Sequence, residues 1–173
     1  MEKTVSSRLI YRGRNFCFKS DEVELPDGRR TRRDIIEHPG AVAIIPILSD
    51  GRLILVRQYR YAVHRELLEI PAGTLEEGEE PLECAMRELR EETGHEAGRM
   101  EWLMRCYMAP GYSSELIDFY VASDLRRVEA DAEPDESIEV EVLGFDEVAE
   151  MIEENVIEDA KTVTGILAYL TRK

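Results

Sequence analysis

The rhythm of hydrophobic and polar positions changes several times along this chain. Up to Leu25 the apolar side chains Leu9, Tyr11, Phe16, Phe18 and Val23 alternate loosely with polar ones, broken at Gly13-Arg14-Asn15. Pro26-Asp27-Gly28 then supplies a turn, because proline presets one dihedral and glycine accepts the reversed one. Residues 1–36 are therefore expected to form an antiparallel hairpin or meander, a small β subdomain ahead of the main domain over 37–173. Residues 41–48 are almost continuously apolar, which predicts a central buried strand with Pro46 at its end or at an irregularity. Ser49-Asp50-Gly51 is a turn, and Leu53 and Leu55, then Arg57 and Tyr59, alternate as in a hairpin partner. Residues 66–70 make a further short strand ending at Pro71.

At Pro81 the period becomes helical. Leu82, Ala85, Met86, Leu89 and Thr93 recur at the spacing of one buried stripe. Pro81 suits the first turn, where its missing N–H is no loss, and Gly94 suits the left-handed position after the last. Beyond the helix, strands are predicted over 101–108, 116–122 and 138–143, with an acidic loop over 124–137. Amphipathic helices follow, one through Phe145, Val148, Met151 and Ile152 and one through Val163, Ile166, Leu167 and Leu170. Strands, helix, strands and helices in that order predict an α+β fold, an α/β/α sandwich around a mixed sheet.

Composition narrows the partners. A chain of 173 residues with 43% hydrophobic and 34% charged positions is long enough for a real core and too apolar for disorder. The net charge of −15 repels nucleic acid and anionic membrane, so neither is an expected partner. An anionic ligand would have to be held by local cations or a metal. The basic run Arg29-Arg30-Thr31-Arg32-Arg33 is one such patch, or else a solubilising exposed strand. Three dispersed cysteines, Cys17, Cys84 and Cys106, and the lack of a membrane-length apolar run or a signal-peptide core lead us to expect a reduced, cytoplasmic setting. His38, His64 and His95 lack the spacing of a zinc site.

The chemistry gathers on another flank of the helix. Glu88, Glu91 and Glu92 stand at i, i+3 and i+4, beside Cys84, where like charges repel by about 0.2–0.5 kcal/mol per pair even in water. Arg87 offsets part of this by reaching Glu91 at i+4. A divalent cation would relieve the remainder, and an all-oxygen donor set favours Mg²⁺ or Mn²⁺. In the preceding loop Ala72-Gly73-Thr74-Leu75-Glu76-Glu77-Gly78-Glu79, the glycines Gly73 and Gly78 permit backbone turns closed to other residues, which lets a carbonyl such as that of Ala72 face the ion. Acidic residues and metal beside such a turn suit phosphoryl or pyrophosphate chemistry.

Gly73, five residues, Glu79, seven residues and then Arg87-Glu88-Leu89-Arg90-Glu91-Glu92-Thr93-Gly94 resemble the box of the Nudix hydrolases. The one departure is His95, where the box carries an apolar residue. The resemblance implies the Nudix fold and hydrolysis of a nucleoside diphosphate linked to another group. It makes Glu88, Glu91, Glu92 and the Ala72 carbonyl the metal ligands, gives Arg87 the task of orienting Glu91, and has Glu79 support the loop–helix geometry.

Arg57-Gln58-Tyr59-Arg60, Leu67-Leu68-Glu69-Ile70-Pro71-Ala72-Gly73 and Pro110 within Ala109-Pro110-Gly111-Tyr112-Ser113-Ser114-Glu115 further resemble the ADP-ribose pyrophosphatase subgroup. That implies Mg²⁺-dependent cleavage of ADP-ribose into AMP and ribose 5-phosphate. The same reaction on another nucleotide sugar such as GDP-mannose stays open, as does a non-catalytic nucleotide-binding sensor, against which the intact glutamates argue. By the same resemblance Arg60, Pro110, Tyr112 and Glu115 contact the substrate, and Arg33 does so from a partner in a homodimer that exchanges residues 1–36. Phe16, Phe18 and Tyr112 are candidates for the adenine. The general base is expected on the loop before the 138–143 strand, at Glu136 or Glu133.

Overall fold

The computed structural model describes residues 1–128 and 138–172. They form two compact units, Met1–Gly40 with Cys106–Ile117, and the rest from Ala41 onward. In the first, β1 (Lys3–Arg12), β2 (Cys17–Glu24) and β3 (Arg30–Glu37) run as an antiparallel meander in that order. Ser7 donates to Asp21 at 2.6 Å and Ser20 to Asp34 at 2.5 Å, so polar cross-strand pairs help to fix the register. Every residue of β1 is exposed. The loop from Ala109 to Ser114 is stitched onto β3, with Ile36 N–H donating to Tyr112 at 2.7 Å and Ser114 N–H to Ile36 at 2.9 Å.

The second unit holds β4 (Ala41–Pro46), β5 (Leu53–Arg60), β6 (Arg65–Glu69), β7 (Ala72–Thr74), α1 (Pro81–Thr93), most of β8 (His95–Tyr107) and β9 (Leu116–Arg127), β10 (Ile138–Leu143), α2 (Phe145–Glu153) and α3 (Ala160–Leu170). The strands build two sheets, β7-β4-β9-β8 and β10-β5-β6. Alternation along β9 shows the layering. Tyr120 and Ala122 join Val42, Ile44, Cys84, Ala85 and Leu89 in the core beneath α1. Phe119, one residue out of phase, faces α3, where the space at Gly165 lies 3.1 Å from the rings of Phe119 and from Ile70. Buried on both faces, β4 carries the continuous apolar run that its sequence shows. The fold is the expected α+β sandwich around a mixed sheet, with antiparallel N-terminal strands. Among the described residues no helix is long and apolar enough to cross a membrane.

Three expectations need correction. The buried face of α1 is Cys84, Ala85, Leu89, Glu92 and Thr93, whereas Leu82 and Met86 are 42% and 47% exposed. The helix is rotated toward its acidic flank because Glu88 and Glu92 must reach β7, and that turns Cys84 inward. Strand β8 begins at His95, well before 101, and β9 continues through Arg127, so residues 124–127 are strand and not loop. Ala97, Met100 and Leu125 extend the core over α1, and Arg126 pairs with Glu96 at 2.6 Å across the two strands. Finally, Ala72–Thr74 forms a short strand beside β4 where only loop was expected.

The rotation of α1 has a measurable consequence. In urea denaturation Leu89→Ala should lose roughly 2–5 kcal/mol, and the exposed Met86→Ala at most about 0.5 kcal/mol. Equal losses would contradict the observed helix face.

Candidate active site

The site is built where β7 passes under α1. Pairing of Ala72 with Ala43 and of Gly73 with Val42 fixes the height of this segment, and Ile44 N–H donates to Pro71 at 2.8 Å just before it. Pro81 opens α1, and Gly94 closes it at φ 66° with its N–H donating to Arg90 at 2.9 Å. His95 sets its ring Nδ1 at 2.8 Å from the Thr93 carbonyl and starts β8, so a polar residue is accommodated where the box has an apolar one.

Gly73 is needed for space and not for a turn. Positive φ occurs at Gly78 (82°), whereas a Cβ on Gly73 would fall 1.8 Å from Glu88 Oε1 and 1.9 Å from its carboxyl carbon. The carboxylate of Glu88 thus lies directly on the backbone of β7. Beside it, Arg87 joins three acids at once. Its Nε and Nη2 donate to the two oxygens of Glu79 at 2.9 and 3.0 Å, and its Nη1 donates to Glu88 at 2.7 Å and to Glu91 at 2.9 Å. Glu79 also accepts the N–H of Glu76 at 3.0 Å, which closes the loop onto the helix. Glu92, 8% exposed, accepts the N–H of Ala72 at 3.0 Å.

Electrostatics follow the geometry. The Arg87 hydrogen bonds pull the Glu79 carboxyl down to about 2. The same bonds, Glu79 first and then the charges of Glu88 and Glu91, raise Arg87 above its already high value. Burial, with Glu79 and Glu88 nearby, pushes the Cys84 thiol up, which favours its neutral form.

Among the described residues no three His, Cys, Asp or Glu side chains stand assembled as a ready cation cage, since Arg87 occupies Glu88 and Glu91 and the Ala72 N–H occupies Glu92. The donor chemistry nonetheless fits a hard divalent ion. It is all oxygen, half-buried to buried, and carries more negative charge than one arginine offsets, over a β7 backbone kept open by Gly73.

Arg60, at the end of β5, grips Glu69 with two bonds, Nε to Oε1 at 2.8 Å and Nη2 to Oε2 at 2.6 Å. The guanidinium is held above its usual value by Glu69 first, with Glu92 and Asp159 contributing through space. Second-unit residues Ala72, Glu88, Glu91, Glu92, Arg87 and Arg60 are therefore brought into one neighbourhood.

Arg33, Pro110, Tyr112 and Glu115 belong to the first unit. There Arg33 pairs with Glu2 at 2.6 Å, Tyr112 is 59% exposed, and Glu115 accepts the N–H of Met108 through its carbonyl at 3.2 Å. Phe16 is exposed and Phe18 half-buried in the same unit. Glu133 and Glu136 lie outside the described residues.

The sequence reading missed Glu69 as a residue of interest. It is fully buried and is also bound by Lys161, whose side chain pairs with Asp159 at 3.0 Å. The visible signal was a lone acid inside Leu67-Leu68-Glu69-Ile70.

A glutamate-rich helix end held by one arginine against an open glycine strand defines a family. The chain belongs to the NUDIX domain family, whose model matches residues 37–164. The methanol dehydrogenase activator of Bacillus methanolicus is 42% identical over 167 residues, which span 95% of this chain and 90% of that protein. The ADP-ribose pyrophosphatase of Bacillus subtilis (strain 168) is 38% identical over 174 residues, 99% of this chain and 94% of the relative. A crystal structure of an ADP compounds hydrolase matches with a TM-score of 0.87 at 26% identity, covering 98% of this chain and 92% of that one.

Two outcomes test the geometry. Gly73→Ala should lower turnover roughly 100-fold or more while circular dichroism is unchanged, because its methyl group and the Glu88 carboxylate cannot share one place. Glu79 has a depressed folded-state value, so its stabilisation is complete above the ordinary 4.5 and is lost as pH falls through about 2. The difference in unfolding free energy between the wild type and Glu79→Gln should be full near neutrality and vanish at the acid end; a constant difference would count against the ion pair as its source.

Proposed function

We propose that this chain is a divalent-metal-dependent pyrophosphatase that cleaves ADP-ribose into AMP and ribose 5-phosphate. The observation that carries the reading is the Arg87-bound set Glu79, Glu88 and Glu91 lying over Gly73, in a chain 38% identical over almost its full length to an ADP-ribose pyrophosphatase. Glu88, Glu91, Glu92 and the Ala72 carbonyl hold Mg²⁺, with Mn²⁺ as a substitute. When bound, the ion supplies neutralisation of the diphosphate and activation of a water.

Within the protein, Glu79 anchors Arg87, and Arg87 keeps Glu88 and Glu91 in register against their mutual repulsion. Arg60 binds the diphosphate or the terminal ribose. Glu136, or in second place Glu133, takes the proton from the attacking water. Arg33, Pro110, Tyr112 and Glu115 complete the substrate contacts in our reading. Arg33 does so across a homodimer that exchanges the 1–36 strands, and the wholly exposed β1 supports that exchange. A cytoplasmic setting agrees with a nucleotide-sugar substrate.

A second reading is a nucleotide-binding regulator of a partner enzyme, favoured by the 42% identity to a protein named as a methanol dehydrogenase activator. A panel of nucleoside diphosphate compounds with Mg²⁺, scored for products, separates the two. Release of AMP from ADP-ribose is expected. Faster cleavage of GDP-mannose would replace the substrate, and tight binding without turnover would favour the regulator.

Glu92→Gln should reduce turnover by roughly two orders of magnitude with the fold intact; near-normal rates would sink its assignment as a ligand. Of Glu136→Gln and Glu133→Gln, the first should lower kcat roughly 100-fold or more and remove the acidic limb of its pH profile, where a carboxylate base becomes protonated, and the second should leave the rate unchanged.

A further inference from the structure

Behind Arg60 lies a set of charges with no part in the chemistry described so far. Glu69 is fully buried and is bonded by both Arg60 and Lys161. Lys161 also reaches Asp159, whose carboxylate accepts the Thr162 N–H at 2.9 Å and its hydroxyl at 2.6 Å, capping α3. Thr162 Oγ1 in turn accepts the N–H of Ile70 at 2.9 Å, next to Glu69. Two cations and two anions therefore neutralise one another at the start of α3.

Such a buried group is a poor way to gain stability, since apolar residues of the same volume usually do as well or better. Its exposure pattern is informative instead. The side chains of Glu69, Lys161 and Asp159 are 1%, 11% and 17% exposed, whereas that of Arg60 is 41% exposed. Register explains the arrangement. Glu69 is opposite Val56 and Arg60 is four residues further along β5, so both share a sheet face and the arginine must reach back to the acid. Its Nε and Nη2 are taken by Glu69, which leaves the Nη1 edge for a ligand, close enough to Glu92 to feel its charge.

We propose that Glu69 and Lys161 are positioning residues that lock Arg60 as a pre-oriented clamp for a diphosphate group. The proposal rests on the pyrophosphatase reading and adds to it how an arginine is fixed in a chain of net charge −15. A flexible arginine would lose rotamer freedom on binding and would find a nearer carboxylate; a guanidinium already held at two nitrogens loses little.

The test is a double-mutant cycle on the full chain with Arg60→Ala, Lys161→Met and both together. Its readouts are KM and kcat for ADP-ribose with Mg²⁺, and the Kd of inorganic pyrophosphate by calorimetry. Lys161→Met should raise KM and the pyrophosphate Kd roughly 10-fold, with kcat within about 2-fold, and should add nothing once Arg60 is alanine. Additive effects, or a fall in kcat at constant KM, overturn the proposal, as does a wild type that binds no pyrophosphate. If circular dichroism shows that Lys161→Met is unfolded, the cycle is run with Lys161→Gln under the same criteria. Intact coupling in pyrophosphate binding with no ADP-ribose turnover would remove the substrate assignment and leave the clamp standing. Normal turnover with additive effects would do the reverse.

Discussion

Three carboxylates on one flank of a helix repel, and the surroundings of α1 are arranged to hold them together. In a half-buried setting with an effective dielectric near 20, like charges about 4 Å apart repel by about 4 kcal/mol, far more than on an exposed helix. Arg87 answers this from inside the cluster by spanning Glu79, Glu88 and Glu91, and it is fixed by two bonds to Glu79 from the loop. Gly73 answers it from below by leaving room for Glu88. One arginine cannot balance that many acids. The surplus is what our reading assigns to a divalent ion, and the reach of Glu88 and Glu92 to β7 leaves Leu82 and Met86 outside the core.

The segment from Glu69 to Gly73 transmits this constraint to the rest of the second unit. Within five residues it presents Glu69 to Arg60 and Lys161, the Ile70 N–H to Thr162, the Ala72 N–H to Glu92, and the bare backbone of Gly73 to Glu88. The end of β6 and the residue after it are thus gripped by α3, and β7, in the other sheet, by α1. Removing one partner from a buried ion pair of this kind costs roughly 3–5 kcal/mol, so its placement is fixed more firmly than that of an ordinary loop.

How much of this was legible depended on sequence distance. The end of α1, its acidic flank and the link from Arg87 to Glu91 are local patterns, and Pro81 and Gly94 marked both ends of the helix. The layered order of strands and helices was legible for the same reason. The helix rotation was not, because Leu82 and Met86 satisfy the apolar period as well as Cys84 does; what decides between them is the reach of Glu88 to β7. The extra length of β8 and β9 was hidden by charged residues such as Glu96 and Arg126, which pair with each other across the strands. The link from Glu69 to Lys161 joins positions 92 residues apart and leaves no local trace. Gly73 was noticed for the wrong reason, since a glycine kept for space and one kept for a turn look alike in sequence.

The division of labour follows from charge. A site made of glutamates attracts cations and repels phosphates, so by itself it holds a metal and no anionic substrate. A diphosphate must be met by positive groups introduced from elsewhere, against a field set by the whole acidic chain. Arg87 is consumed by its three acids. Arg60 differs, because its own counter-charge is buried behind it and is shared with Lys161, so part of its guanidinium stays available at an exposed surface. Locking a cation with a buried acid, and then compensating that acid with a second cation, lets positive charge persist beside Glu92 without collapsing onto it.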